Sequence, residues 1–129
     1  MKIYVAARFT EKAMVQDLYK QLRAMGHTIT ADWTQHVNAK PYDQHAELAG
    51  EYATEDLTGT ITCDVFIYFT SPEVGAGLSA ELGAALASRE LTGKPEVYVV
   101  GEHAASNAFH YHPAVQRVGN IETVLAQLA

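Results

Sequence analysis

The stretch CDVFIYFTSPEVGAGLSAELGAALA, residues 63–87, decides the fold. It opens on an unbroken apolar run, Val65 to Phe69, of the kind that forms a strand buried on both faces. A glycine-bearing loop follows. After it, Leu78, Leu82 and Ala85 recur at helical spacing. A buried strand feeding straight into a helix is half of a parallel β-α-β unit, because parallel strands need a long crossover between them.

Working outward, the same alternation covers the chain. On the N-terminal side, KIYVAA (2–7) reads as a strand. EKAMVQDLYKQLRAMG (11–26) reads as a helix with Ala13, Met14, Val15, Leu18, Leu22 and Met25 along one face and Gly26 at its end. HTITAD (27–32) is a short strand, and the polar segment 33–45, with Pro41, is a loop. AELAGEYATEDLTGTIT (46–62) is helical in pattern despite Gly50 and Gly59. On the C-terminal side come a strand PEVYVV (95–100), a loop GEHAASNAFHYHP (101–113), a weak strand AVQRV (114–118) and a helix NIETVLAQLA (120–129) capped by Asn120. This pattern predicts one α/β domain over residues 1–129, with a flavodoxin-like, doubly wound, five-stranded parallel sheet. In such sheets ligands bind outside the carboxyl ends of the strands, at the switch point.

Composition narrows the functions. With 129 residues the chain can bury a core without staples. The net charge of −6 argues against a partner gripped through its phosphate backbone, so no nucleic acid polymer is expected. A single cysteine, Cys63, forms no internal disulfide and suits a reducing compartment. The opening MKIYVAARFT has too short an apolar run for a signal peptide or a membrane span, so a cytoplasmic protein without a membrane partner is expected.

The carboxyl edge receives Tyr4 to Thr10 from the first strand, Thr70 to Gly77 from the central one, and Gly101 to His112 from the fourth. Glu81 lies in the first turns of the following helix, at the edge of its apolar stripe. Compensation of the helix dipole is one reading of it. Asp56 falls within the stripe Ala49, Tyr52, Ala53, Leu57 and Thr60 of the preceding helix. A carboxylate on an inward face is costly unless it is paired or used, and a pairing with Arg8 is the structural alternative. Two inward carboxylates converging on one crevice suit glycosidic bond cleavage, in which one attacks the anomeric carbon and the other handles the leaving group's proton. Glu81, near helix-end amides, is expected to stay ionised as the nucleophile. Asp56, half buried with a raised pKa, suits the acid.

IYVAARF, then EDL before the central strand, then GLSAELGAALA resemble the nucleoside 2-deoxyribosyltransferase superfamily, which includes the 2′-deoxynucleoside 5′-monophosphate N-glycosidases. The resemblance runs over nearly the whole chain. It implies a covalent glycosyl-enzyme intermediate on Glu81, proton transfer at the base by Asp56, and a Tyr4 hydroxyl that positions Glu81. It also implies a homodimer or larger homo-oligomer with a shared active site, to which Asn107 or Ser106 of a neighbour contributes. The substrate contacts it suggests are Ala7, Arg8, Phe9, Ser71, Gly75, Gly77, Ser79 and Asn107. The chain departs from the pattern at three points. Gly75 stands where transferases carry an Asp, Ser71 and Ser79 are shifted from the phosphate-binding serine of the monophosphate glycosidases, and Ala7 replaces a Gly.

Other signals point elsewhere. Arg8 suits a phosphate, or a pairing with Asp56 or Glu81. Trp33 and Tyr42 offer flat faces to a nucleobase, or packing. In a strand, His110 and His112 would point the same way, yet no Cys or carboxylate cluster accompanies them, so no metal is expected. There is no Walker lysine and no GxGxxG, and no cofactor is implied. Cys63 reads as inert packing. The expected activity is cleavage of the N-glycosidic bond of nucleosides or their 5′-monophosphates, 2′-deoxy forms foremost, with transfer to another base or to water. A catalytically inactive nucleotide-binding module on the same fold is the alternative.

Overall fold

A computed structural model describes residues 1–73 and 75–129. Position 74, within the loop expected to line the crevice, lies outside the described residues. The elements run β1 (Lys2–Ala6), α1 (Lys12–Ala24), β2 (Thr28–Ile29), α2 (Ala46–Thr62), β3 (Val65–Phe69), α3 (Ala76–Thr92), β4 (Glu96–Val100), β5 (Val115–Val118) and α4 (Ile121–Leu128). All strand pairs are parallel, in the order β2-β1-β3-β4-β5. This is the expected flavodoxin-like arrangement. The order reverses between β1 and β3, so their carboxyl ends flank the switch point.

Central strands are buried because every face is covered. Ile3 to Ala6 and Val65 to Tyr68 are almost wholly inaccessible. The register aligns Tyr4 with Phe66 and Val97, and Val5 with Ile67 and Tyr98. Strand alternation puts these two rows on opposite faces. The Tyr98 hydroxyl donates to Gln127 on α4 at 2.6 Å, so the Val5 row faces α4. The Tyr4 row faces α2, where a Cβ at Gly59 would stand 3.0 Å from the Tyr4 ring and 2.7 Å from Ala31 Cβ. Gly59, a weakness in the helical pattern of the sequence, is a point where α2 comes too close to the Tyr4 ring and Ala31 for a side chain.

That approach fixes the rotation of α2 and corrects one expectation. Gly59 and Thr60 are buried and Ala49, Tyr52 and Asp56 half buried, but Ala53 and Leu57 face out. Leu57 and Ile61 are 47% and 48% exposed. Small residues lie inward because the backbone needs the room. In α1 the buried set is Val15, Leu18, Tyr19 and Leu22, whereas Ala13 and Met25 are exposed. The edge strand β2 is also shorter than expected: only Thr28 and Ile29 pair with β1.

Candidate active site

The carboxyl ends of β1 and β3 and the facing sides of α2 and α3 bring three of the expected residues together. Tyr4 is fully buried in β1 and stacked on Phe66 of β3, with ring centroids 5.8 Å apart. Asp56 comes from the middle of α2. Glu81 comes from the second turn of α3, beside the buried Leu78, Leu82 and Ala85. Helices α2 and α3 pack against each other, and the Asp56 and Glu81 carboxyls lie close enough for the charge of one to raise the other. Among the described residues, Tyr4 Oη, Asp56 Oδ1 and Glu81 Oε2 are all buried with no hydrogen-bond partner. Buried polar atoms left unpaired cost about 1–3 kcal/mol each, so natural proteins seldom carry three in one place without a use for them.

The electrostatics follow from this burial. Desolvation pushes the Glu81 carboxyl up to about 7, with the Tyr4 hydroxyl opposing the rise and the Asp56 charge adding to it. Burial likewise pushes Asp56 up to about 6, opposed by His36 and reinforced by Glu55. Tyr4 is raised by burial and then by the charges of Glu81 and Asp56, so its phenol keeps its proton and stands as a donor. The phenol and the Glu81 carboxyl lie near enough to influence each other, although strict hydrogen-bond geometry is not met. Burial therefore works against the helix-end amides expected to keep Glu81 ionised. The dipole acts within the first turn, and Glu81, six residues beyond the N-cap Gly75, lies past it in an apolar setting.

Other expected contacts are local. Ala7 is buried immediately after β1. Arg8 pairs with Glu73 at 3.1 Å, not with Asp56 or Glu81. Both partners are exposed enough to separate readily. Phe9 is 55% exposed and tilted against Trp33. Trp33 itself is buried, with its indole N–H donating to Val5 O at 2.7 Å, so it packs beneath the crevice rather than offering a free face. Tyr42 is exposed. The Ser71 hydroxyl donates to Glu73 O and that of Ser79 to Gly75 O. Gly75 caps α3, and Gly77 lies exposed in its first turn. Asn107 caps a short turn, accepting from Phe109 N at 2.8 Å, and makes no hydrogen bond to Tyr4, Asp56 or Glu81 among the described residues.

The histidines part company. His110 and His112 lie in and after the turn Ala108–Tyr111, not in a strand. His110 Nδ1 is 3.0 Å from Ala104 O, and His112 Nε2 is 2.9 Å from Glu90. Cys63 is buried, its thiol pushed up to about 12 by burial.

His36 is the residue that the sequence did not single out. It is stacked on Tyr52, with centroids 3.7 Å apart and planes 6° from parallel. Its Nε2 lies 3.5 Å from Glu55 and 4.0 Å from Asp56. No periodicity ties a loop residue to a helix twenty positions on. The one signal was an aromatic, Tyr52, one turn before Asp56 on the same face.

No family model matches the sequence, and no curated protein matches it. Solved structures do match. The CMP N-glycosidase BcmB of Clostridium botulinum shares 23% identity over 98% of this chain and 96% of that one, with a TM-score of 0.61. The 2-deoxyribosyltransferase of the psychrotolerant bacterium Bacillus psychrosaccharolyticus shares 21% identity over 99% of this chain and 96% of that one, with a TM-score of 0.64. At these identities the likeness is one of fold. Among the described residues no helix is long and apolar enough to cross a membrane.

Proposed function

We propose that this chain cleaves the N-glycosidic bond of nucleosides or their 5′-monophosphates, 2′-deoxy forms foremost, through a covalent glycosyl intermediate on Glu81. The observation that carries this reading is the trio of buried, unpartnered polar atoms on Tyr4, Asp56 and Glu81 at the carboxyl edge of the sheet. Two solved neighbours, one named a CMP N-glycosidase and the other a 2-deoxyribosyltransferase, support it.

In this mechanism a Glu81 oxygen attacks C1′ as the bond from C1′ to the base nitrogen breaks. The bonding electrons leave with the base, and Asp56 supplies the proton that the base then carries. Tyr4 donates towards Glu81 and fixes the attacking oxygen. Water or a second base next attacks C1′, the bond to Glu81 breaks, and Asp56 recovers a proton from the incoming nucleophile. The productive state has Asp56 protonated and Glu81 ionised, a minority arrangement because Glu81 at about 7 holds its proton more tightly than Asp56 at about 6. It is lost to protonation of Glu81 in acid and to ionisation of Asp56 in alkali. The rate therefore peaks between about 6 and about 7, with apparent values belonging to the pair. Arg8 exchanges its exposed Glu73 partner for a substrate phosphate. The apolar stripe Leu57 and Ile61 on α2 suits the association into oligomers that the resemblance implies.

The test is chromatographic detection of free base from deoxynucleosides and deoxynucleoside monophosphates, with and without an acceptor base. Glu81→Ala serves as the control, and mass spectrometry searches for a sugar adduct on Glu81. Release or exchange that the variant abolishes is the expected result. A protein stabilised by a nucleotide that it leaves intact would make it a binding module instead.

A further inference from the structure

The proposed reaction needs Asp56 to hold and release a proton, and the wall behind Asp56 is built for that in a way the reaction alone does not require. His36 is fixed from three directions. Its ring lies flat on Tyr52. Its own backbone N–H donates to Trp33 O at 3.0 Å. The next residue, Val37, donates its N–H to Tyr52 Oη at 3.1 Å. Clamped in this way, the ring presents one nitrogen to two consecutive carboxylates. Nε2 is 3.5 Å from Glu55 Oε1 and 4.0 Å from Asp56 Oδ1. Neither approach is a hydrogen bond: Nε2 and Asp56 Oδ1 are both buried without a partner among the described residues. One ring nitrogen thus faces both Asp56 and the half-exposed Glu55.

Resting on the proposed reaction, we infer that Glu55 and His36 act as a pair of positioning residues that set the protonation of Asp56, Glu55 drawing the imidazole charge towards the rim and His36 holding it against the crevice. Neither touches substrate. They act with opposite sign: the imidazolium favours ionised Asp56, and the Glu55 carboxylate disfavours it. The other ionisable groups facing this cluster are Tyr52 on α2, Tyr4 on β1, Glu81 on α3 and, more remotely, Tyr19 on α1. Tyr4 and Tyr19 stay neutral because burial raises both. Glu81 is common to every variant below and so drops out of the comparison.

Two readouts test the pair. The Asp56 carboxyl is titrated by carbon-detected NMR in the wild type, Glu55→Gln and His36→Gln. The midpoint is expected to fall in E55Q and rise in H36Q, each by about half a unit to one unit. Base release is then measured above pH 7, where the rate follows the fraction of Asp56 still protonated. It falls about three- to tenfold in E55Q, whereas H36Q is read from its midpoint alone. Glu55 is half exposed, so E55Q is not expected to disturb folding, and melting temperatures identify any variant that is merely damaged. Midpoints that move in the same direction, or that stay put in folded E55Q, overturn the proposal. A wild type that releases no base, with midpoints that still move apart, overturns the proposed reaction while upholding the effect of the pair on Asp56.

Discussion

At the amino edge of the sheet, Asp64 accepts the Lys2 backbone N–H at 2.8 Å and the Lys94 ammonium at 2.9 Å, and these partners hold its carboxyl below the usual range. At the carboxyl edge, Asp56 and Glu81 are more deeply buried, lack such partners, and lie at about 6 and about 7. The same functional group is tied down at one end of the strands and left under electrostatic tension at the other. Satisfied carboxylates stabilise a fold, and unsatisfied ones are poised to take up a proton or a carbon. The two ends therefore respond to pH with opposite sign, which makes the comparison testable.

The largest effect belongs to Glu81→Gln. Base release falls by at least about a thousandfold, because an amide is no nucleophile. Stability moves the other way. Glu81 is raised in the folded state, so the fold binds its proton more tightly than the unfolded chain does. Stability is then lost as pH climbs from the ordinary carboxylate value towards about 7. Gln removes that loss. The variant should melt several degrees higher at pH 8, a gain of at most about 2–3 kcal/mol, and converge on the wild type near pH 4. Thermal scans across this range check the trend, and a variant less stable than wild type at pH 8 would break the contrast.

A smaller effect tests the geometry behind the tension. In Gly59→Ala the new methyl meets Ala31 Cβ at 2.7 Å and the Tyr4 ring at 3.0 Å, so α2 must lift from the sheet. Overpacking of this kind costs about 1–3 kcal/mol. The lift carries Asp56, three positions earlier, away from Glu81, and a misplacement of about 1 Å lowers the rate on the order of a hundredfold. An unchanged rate would mean that α2 does not set the spacing of the carboxylates.

Gly59 also shows where the sequence stopped being legible. The strand order was readable because Val65 to Phe69 can only be a covered central strand and the helices alternate with it. Glu81 and Asp56 were readable because a charge on an inward helical face stands out against its neighbours. The rotation of α2 was not: counting Ala53 and Leu57 as core ignored the fact that a helix turns its smallest residue to a sheet it must approach closely. The raised Glu81 carboxyl has a related cause. Distance from a helix end is legible in sequence, but the burial that outweighs it comes from the packing of α3 against other elements. His36 joins the site only through the path of a loop, which no spacing rule describes.

The smallest effect is at the amino edge, where Asp64→Asn is the mirror experiment. Asn still accepts the Lys2 N–H but loses the charge that attracts Lys94. Because the Asp64 carboxyl is lowered in the fold, its stabilisation is present above the ordinary carboxylate range and fades as pH falls through it. The variant should melt about a degree or two lower at neutral pH, since exposed pairs contribute little, and match the wild type in strong acid. Base release at neutral pH should be unaffected, because Asp64 lies at the far end of the strands from the crevice. Opposite slopes for D64N and E81Q in one set of melting curves would separate the carboxylate that the fold satisfies from the one that it leaves exposed to chemistry. Parallel slopes would mean that burial, not partnering, governs both ends.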